Sequence, residues 1–229
     1  MKNNKSVYRI NREKGIRNSS YIHPVARWGK RSFDVFFSFL GLCLLLPFCP
    51  FVMLVIYLDS PGPVFFRQMR TGMHDSQCVN LFMMIKFRTM HCDHEKLVIP
   101  QWTAEDDPRI TRVGQVLRRW HIDELPQLWN VLMGDMSLVG PRPEQPGISH
   151  DLDDKLHFYG ERMYCVLPGI TGLAQINLPP DQKLSDVRKK LAYDHAYAIG
   201  LTHSIKWLVT DITILIKTIT GLFNPKKHH

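Results

Sequence analysis

Between Arg118 and Glu144 the chain reads RRWHIDELPQLWNVLMGDMSLVGPRPE. Two adjacent acids, Asp123 and Glu124, stand beside Arg118, Arg119 and His121, and Arg142 follows downstream. Taken locally, the pair is a helix start. Asp caps, Glu sits in the first turn where the helix dipole favours acids, and Pro126 is tolerated there. The cations add a second reading. An ionised acid can attack phosphorus or hold Mg²⁺, and cations beside it neutralise a phosphorylated substrate. Phosphoryl transfer depends mostly on such positioning and charge neutralisation. There is no Walker A sequence and no G-x-G-x-x-G. The cluster His91, Cys92, Asp93, His94 and Glu95 fits no common zinc spacing and has no matching second half.

The elements around the acids follow from periodicity. DPRITRVGQVLRR feeds a helix with Ile110, Val113 and Leu117 on one side. ELPQLWNVLMG continues as a second helix with Leu125, Leu128, Trp129 and Leu132 as its apolar face and Gly134 as its stop. SLVGPRPEQPG is a proline-rich loop. Upstream, two strand-like runs joined by turn residues predict a β-hairpin from about Val64 to Arg88. At the C-terminus, Ile205, Leu208, Val209, Ile212, Leu215, Ile216, Ile219 and Leu222 recur at helical steps, with Lys206, Asp211 and Lys217 off the stripe. That stripe faces either a core or a membrane interface.

The chain has 229 residues and a formal net charge of +8, which fits one domain plus a membrane segment and calls for an anionic partner. Its five cysteines form no C-x-x-C pair, which points to a reducing compartment. Val35–Leu58 is a 24-residue run without charge, long enough to span a bilayer. Residues 1–31 carry nine Lys and Arg against one Glu, placing the N-terminal flank inside. Pro47 and Pro50 break the run. One reading is a kinked span. The other is a helix-break-helix that enters and leaves on the same face, favoured by the basic stretches FFRQMR, KFRTM, RITRVGQVLRR and VRKK and the free cysteines that follow.

In order along the chain, KRSFDVFFS, the apolar run with its central proline, DSPGPVFFRQMRTG, IKFRTM, DPRITRVGQVLRRWHIDELPQLWNVLMGDMSLVGPRP, LPGITGLAQIN and SIKWLVTDITILIKT resemble the bacterial sugar transferases that start surface glycan assembly, the monotopic polyprenyl-phosphate phosphoglycosyl transferases. The resemblance runs from about Lys30 to Leu222. It implies an α-rich α+β fold: a re-entrant membrane helix over residues 32–58 broken at Pro47, a cytoplasmic catalytic domain over 59–200 with a short β-hairpin, and an interfacial amphipathic helix over 201–223. A basic extension (1–31) and a tail (224–229) flank these.

The resemblance further implies transfer of a phospho-sugar from a UDP-sugar to polyprenyl phosphate on the cytoplasmic face of the inner membrane. UMP is released, and the mechanism is ping-pong through an acyl phosphate. Asp123 would be the nucleophile and Glu124 its partner acid, both addressing Mg²⁺. Arg118 would grip the polyprenyl phosphate, Pro141, Arg142 and Pro143 would form a loop near the nucleotide, and Lys86 and Arg88 would be supporting cations. No nucleic acid partner is implied, and a homodimer stays open. The family often has Ser before the breaking proline, where this chain has Leu46, so the break angle is left open. The competing class is a non-catalytic membrane scaffold with a basic anion-binding surface.

Overall fold

The computed structural model describes residues 7–10 (backbone only), 22–74, 78–91, 107–179 and 183–223. The His-Cys-Asp-His-Glu cluster beyond His91, most of the basic extension and the tail lie outside them.

The fold is helix-rich with two small sheets, an α+β arrangement. Helix α1 (Pro24–Leu45) starts within the segment read as the basic extension, with a proline in its first turn and His23 Nδ1 accepting from the Val25 N–H at 3.2 Å. Helix α2 (Cys49–Asp59) follows at an angle of 63°. Between them lie Leu46, Pro47 and Phe48, and Pro50 occupies the first turn of α2. Both prolines therefore act at one junction: Pro47 cannot continue α1, and Pro50 fits where a helix start needs no N–H. No single described helix is long and apolar enough to cross a membrane, but the bent pair taken together is, by length and composition. Its outer surface is apolar, with Phe36, Leu44, Leu46, Phe48, Phe51 and Leu58 all more than 60 % exposed.

The hairpin is present as β2 (Phe65–His74) and β3 (Cys78–Phe87), paired antiparallel from Phe65↔Phe87 to His74↔Val79. A third strand, β1 (Val7–Ile10), pairs parallel to β3, so the sheet order is β1-β3-β2. The four residues VYRI are too few to show a strand period, and only the neighbouring strand fixes them.

Helix α3 (Arg112–Arg119) is capped twice. Thr111 Oγ1 accepts from the Gly114 N–H at 2.9 Å, and Asp59 at the end of α2 accepts from the Val113 N–H at 2.9 Å. Helix α4 (Gln127–Met133) ends at Gly134, which takes the left-handed conformation (φ 88°) that stops helices. Arg31 of α1 donates to the last carbonyls of α4, at Val131 and Leu132 (2.7 and 2.8 Å). Strand β4 (Ser137–Val139) pairs parallel with β5 (Gly169–Thr171) beside the proline-rich loop. Helices α5 (Pro146–Lys155), α6 (Leu184–Gly200) and α7 (Lys206–Leu222) complete the chain.

The main core joins Phe82 and Met84 of β3, Val131 of α4, Val139 of β4, Tyr197 of α6 and Trp207 and Ile214 of α7. The α7 stripe divides. Trp207, Asp211 and Ile214 face inward, while Ile205, Val209, Ile212, Ile216 and Ile219 are exposed. A core-facing role for those five is therefore corrected. Asp211, expected among the polar positions outside the stripe, has no exposed surface. It takes the Lys30 ammonium at 2.5 Å and the Tyr197 hydroxyl at 2.9 Å, and Tyr197 also donates to Val139 O at 3.0 Å. Asp34 of α1 accepts from the Leu138 N–H at 3.0 Å. The bent helix pair is thus tied by buried polar bonds to the strand that leads into the proline-rich loop.

Candidate active site

The acid pair does not cap a helix. His121 adopts a left-handed conformation (φ 53°), unusual for a side-chain-bearing residue, and turns the chain sharply after α3. Ile122–Glu124 then form a 3₁₀ turn, and Pro126 takes the N-cap position of α4. Asp123 and Glu124 lie before the helix, both less than 10 % exposed. The capping reading fails because the strained turn at His121 moves the helix start past the acids.

The two acids have opposite surroundings. Glu124 Oε1 accepts from the Lys86 ammonium at 2.6 Å and from Arg142 Nη2 at 3.0 Å. Burial alone would raise its pKa, but Lys86 and Arg142 outweigh burial and hold the carboxyl well below the usual range. Among the described residues Asp123 accepts no hydrogen bond and enters no ion pair. Burial pushes its pKa up and the Glu124 charge adds to the rise, while Lys86, Arg118 and His121 oppose it. The site therefore holds one acid already bound to two cations and one that is uncommitted and more basic than usual. An uncommitted carboxylate beside a cation pair can attack an electrophilic phosphorus whose oxygens those cations neutralise.

The sequence-predicted cations fall in three places. Lys86, from β3, and Arg142, from the loop after β4, meet at Glu124. Arg118, in the last turn of α3, donates Nε to Thr89 Oγ1 at 2.9 Å and interacts electrostatically with Asp123. Arg88 is elsewhere: it is 2 % exposed, and its guanidinium donates to the carbonyl oxygens of Ile56, Ser60 and Pro61. In this geometry the Arg88 side chain holds the end of α2. Lys86 lies within β3 and Arg88 just past its end at Phe87, so the two-residue spacing that would put both on one face of a strand no longer holds there. Pro47 lies in the α1–α2 break, remote in role from the chemistry.

Pro141, Arg142 and Pro143 are held as a rigid loop. The Gly169 N–H donates to Pro141 O at 2.9 Å, Arg162 to Arg142 O at 3.2 Å, and Arg70 to Pro143 O at 3.3 Å. The Thr71 N–H and hydroxyl both donate to Glu144 O, at 2.9 and 3.1 Å. Behind this loop lie two buried ion pairs, Arg162–Asp194 (2.9 Å) and Lys190–Glu144 (2.8 Å). Glu144's pKa is held down at about 2: burial works against the charge, and Lys190 and Arg162 more than offset it. Sequence reading missed Arg70, Arg162, Lys190 and Asp194. The one signal for Arg70 was its place in the basic strand FFRQMR; the others carry no local motif.

Val116 of α3, Trp120 just past its end and Trp129 of α4 are 56, 43 and 50 % exposed, and the Trp120 and Phe223 ring centroids lie 6.2 Å apart.

Among the described residues no group of three metal-ligating side chains is assembled. Mg²⁺ commonly takes only one or two carboxylates and completes its shell with substrate phosphates and water. Asp123 and the Glu124 oxygen not engaged by the cations fit such a partial set.

The family model for bacterial sugar transferases matches residues 25–225. A UDP-N-acetylgalactosamine-undecaprenyl-phosphate N-acetylgalactosaminephosphotransferase of Aeromonas hydrophila is 38 % identical over 196 residues, covering 86 % of this chain and 44 % of the relative. The exopolysaccharide production protein PSS of Rhizobium leguminosarum bv. phaseoli is 39 % identical over 197 residues, covering 84 % of this chain and 94 % of the relative. A UDP-glucose:undecaprenyl-phosphate glucose-1-phosphate transferase of Escherichia coli strain K12 is 41 % identical over 198 residues, covering 85 % of this chain and 40 % of the relative. The chain thus spans less than half of two of these relatives and nearly all of the third.

Proposed function

This chain belongs to the bacterial sugar transferase family, and on that premise we propose that it transfers a sugar phosphate from a UDP-sugar to polyprenyl phosphate, releasing UMP. The observation that carries the reading is the uncommitted Asp123 carboxylate beside a Glu124 already bound by Lys86 and Arg142. Relatives named for undecaprenyl-phosphate transfer support the substrate pair.

In the proposed first step an Asp123 oxygen attacks the β-phosphorus. The bond from that phosphorus to the bridging oxygen breaks, UMP leaves with the bridging oxygen, and the sugar phosphate stays on Asp123 as an acyl phosphate. In the second step an oxygen of polyprenyl phosphate attacks the same phosphorus and frees the carboxylate. Lys86 and Arg142 neutralise the β-phosphate oxygens as charge builds there. Their bonds to Glu124 keep both cations in place before substrate arrives, so little reorganisation is needed at reaction. Arg118 holds the lipid phosphate. Asp123 and Glu124 would hold Mg²⁺, which would supply further charge neutralisation on the diphosphate.

The bent α1–α2 pair is read as a re-entrant anchor on the cytoplasmic face of the inner membrane. The exposed stripe of α7 rests on the same bilayer, which sets the dyad at the depth of the lipid phosphate. The sugar is the open specificity, since the relatives' names include both glucose and N-acetylgalactosamine.

The test incubates membranes with radiolabelled UDP-glucose or UDP-N-acetylgalactosamine and polyprenyl phosphate, for wild type and Asp123→Asn. Labelled lipid and UMP are expected from wild type alone. Equal product from Asp123→Asn overturns the nucleophile. No product with any UDP-sugar favours a non-catalytic scaffold that binds anions through the chain's net positive charge.

A further inference from the structure

The hairpin carries a cation that the surrounding acids do not balance. In its register Phe66 lies opposite Lys86, Gln68 opposite Met84 and Arg70 opposite Phe82. Residues two apart on a strand, and those directly across an antiparallel pair, share a face. Phe66, Gln68, Arg70 and Lys86 therefore line one face of the hairpin. Lys86 marks one end, against Glu124. Arg70 stands four residues along from Phe66, roughly 13 Å by strand rise. The Pro-Arg-Pro loop crosses the same face, bonded to Arg70 through Pro143 O and to Glu124 through Arg142.

Arg70 makes neutral bonds only. Nη1 donates to Pro143 O at 3.3 Å and Nη2 to Gln68 Oε1 at 2.6 Å. Its Nε is buried and has no acceptor. Among the described residues no carboxylate lies within ion-pair distance of it, and Glu144, whose charge it feels, is bound by Lys190 at 2.8 Å. Burial, reinforced by the nearby positive charge of Arg142 and only partly relieved by Glu144, draws the Arg70 pKa down to about 10. A half-buried cation beside another cation is unfavourable until an anion arrives. A planar guanidinium with an unused N–H suits a phosphate oxygen.

We propose that Arg70, oriented by Gln68, binds the phosphate that leaves with the nucleoside. This rests on the reading under Proposed function. There the β-phosphate lies at Asp123 between Lys86 and Arg142, so the α-phosphate extends along the hairpin face toward Arg70. When the bond to the bridging oxygen breaks, that oxygen and its electron pair remain on the nucleoside monophosphate, which gains one negative charge. Arg70 is the cation placed to receive it. The first step thus gains transition-state stabilisation from Arg70, and the second step, from which UMP has gone, does not.

The test uses the full chain purified in detergent, as wild type, Arg70→Gln and Arg70→Lys. UMP binding is measured by calorimetry, and kcat/KM is measured separately for UDP-sugar and polyprenyl phosphate. For Arg70→Gln we expect UMP to bind at least about tenfold more weakly, the loss of one charge-assisted phosphate contact. UMP release from UDP-sugar slows alongside, and kcat/KM for polyprenyl phosphate, which reports the second step alone, stays within about twofold. Arg70→Lys keeps the charge without the fork and regains part of the UMP affinity. Unchanged UMP affinity in Arg70→Gln, or an equal loss toward both substrates, overturns the proposal. If Arg70→Gln does not fold, Arg70→Lys decides: wild-type UMP affinity together with a wild-type rate of UMP release sinks the idea. A wild type that releases no UMP from any UDP-sugar refutes the proposed function instead, while UMP binding still reports on Arg70.

Discussion

Replacing each acid of the dyad by its amide should move stability in opposite directions. Glu124→Gln keeps the volume and removes the charge that Lys86 and Arg142 share at 2.6 and 3.0 Å. Breaking a buried pair by deleting one partner costs about 3–5 kcal/mol. Two features reduce that. The Arg142 side chain is 43 % exposed, so water replaces much of its share. The glutamine carbonyl still accepts from Lys86. About 2–3 kcal/mol remains, a fall in Tm of roughly 4–12 °C for a chain of this size. Asp123→Asn removes a charge that burial disfavours, so its Tm should equal or exceed that of wild type.

The pH dependence follows from the two shifts. Glu124's folded pKa is depressed, so its stabilisation is complete above the ordinary 4.5 and is lost as pH falls through the folded value. Asp123's folded pKa is raised, so its cost is complete above the folded value, fades as pH falls through it and is gone below the ordinary 3.8. The assay is thermal unfolding in detergent across that range, beside UMP release for each variant. Both variants should lose transfer. An Asp123→Asn protein that melts as low as Glu124→Gln, or a Glu124→Gln protein that melts like wild type, refutes the division into a bound and an uncommitted acid.

Lys30→Met should cost about 3–5 kcal/mol, because Asp211 is left fully buried without its cation. Adding Asp211→Leu should restore most of that loss in denaturant melts, and a double variant no more stable than the single one would count against the buried pair. Gly140→Ala places a Cβ 2.3 Å from Leu167 O and 2.9 Å from the Gly169 N, so the β4–β5 pair must separate and Arg142 must shift. UMP release should fall by at least about tenfold, a loss typical of misplaced groups; wild-type kinetics would show that the loop tolerates the displacement. Cysteines introduced at positions 3 and 64 should both resist a membrane-impermeant label applied to intact cells, and labelling of one alone would replace the re-entrant anchor by a full span.

Several elements were legible because the signal is local. The apolar run with two prolines, the hairpin, the Gly134 stop and the basic charge each depend on residues close in sequence. So did the suspicion about Asp123 and Glu124, which stood among arginines. The family resemblance extended this by naming Lys86 a supporting cation and Arg142 part of a loop near the nucleotide, and both converge on Glu124 in the structure. The failures share one cause. Asp211 read as a polar position outside the helix stripe and is wholly buried, because its partner Lys30 is 181 residues away. Likewise the KFRTM motif did not reveal that Arg88 would be buried against the carbonyls at the end of α2, which lie about thirty residues upstream.

By itself the sequence determined that this chain carries an apolar run broken by prolines, a basic N-terminal stretch and an acid pair suited to phosphate chemistry. Those properties are set by residue type and short-range spacing. Only the tertiary structure decided which acid is held and which is uncommitted. It did so by bringing Lys86 from a strand and Arg142 from a loop onto one oxygen of Glu124, at 2.6 and 3.0 Å, and leaving Asp123 unbound. Two neighbouring carboxylates of nearly equal intrinsic acidity differ through the burial, charges and hydrogen bonds that the fold places around them.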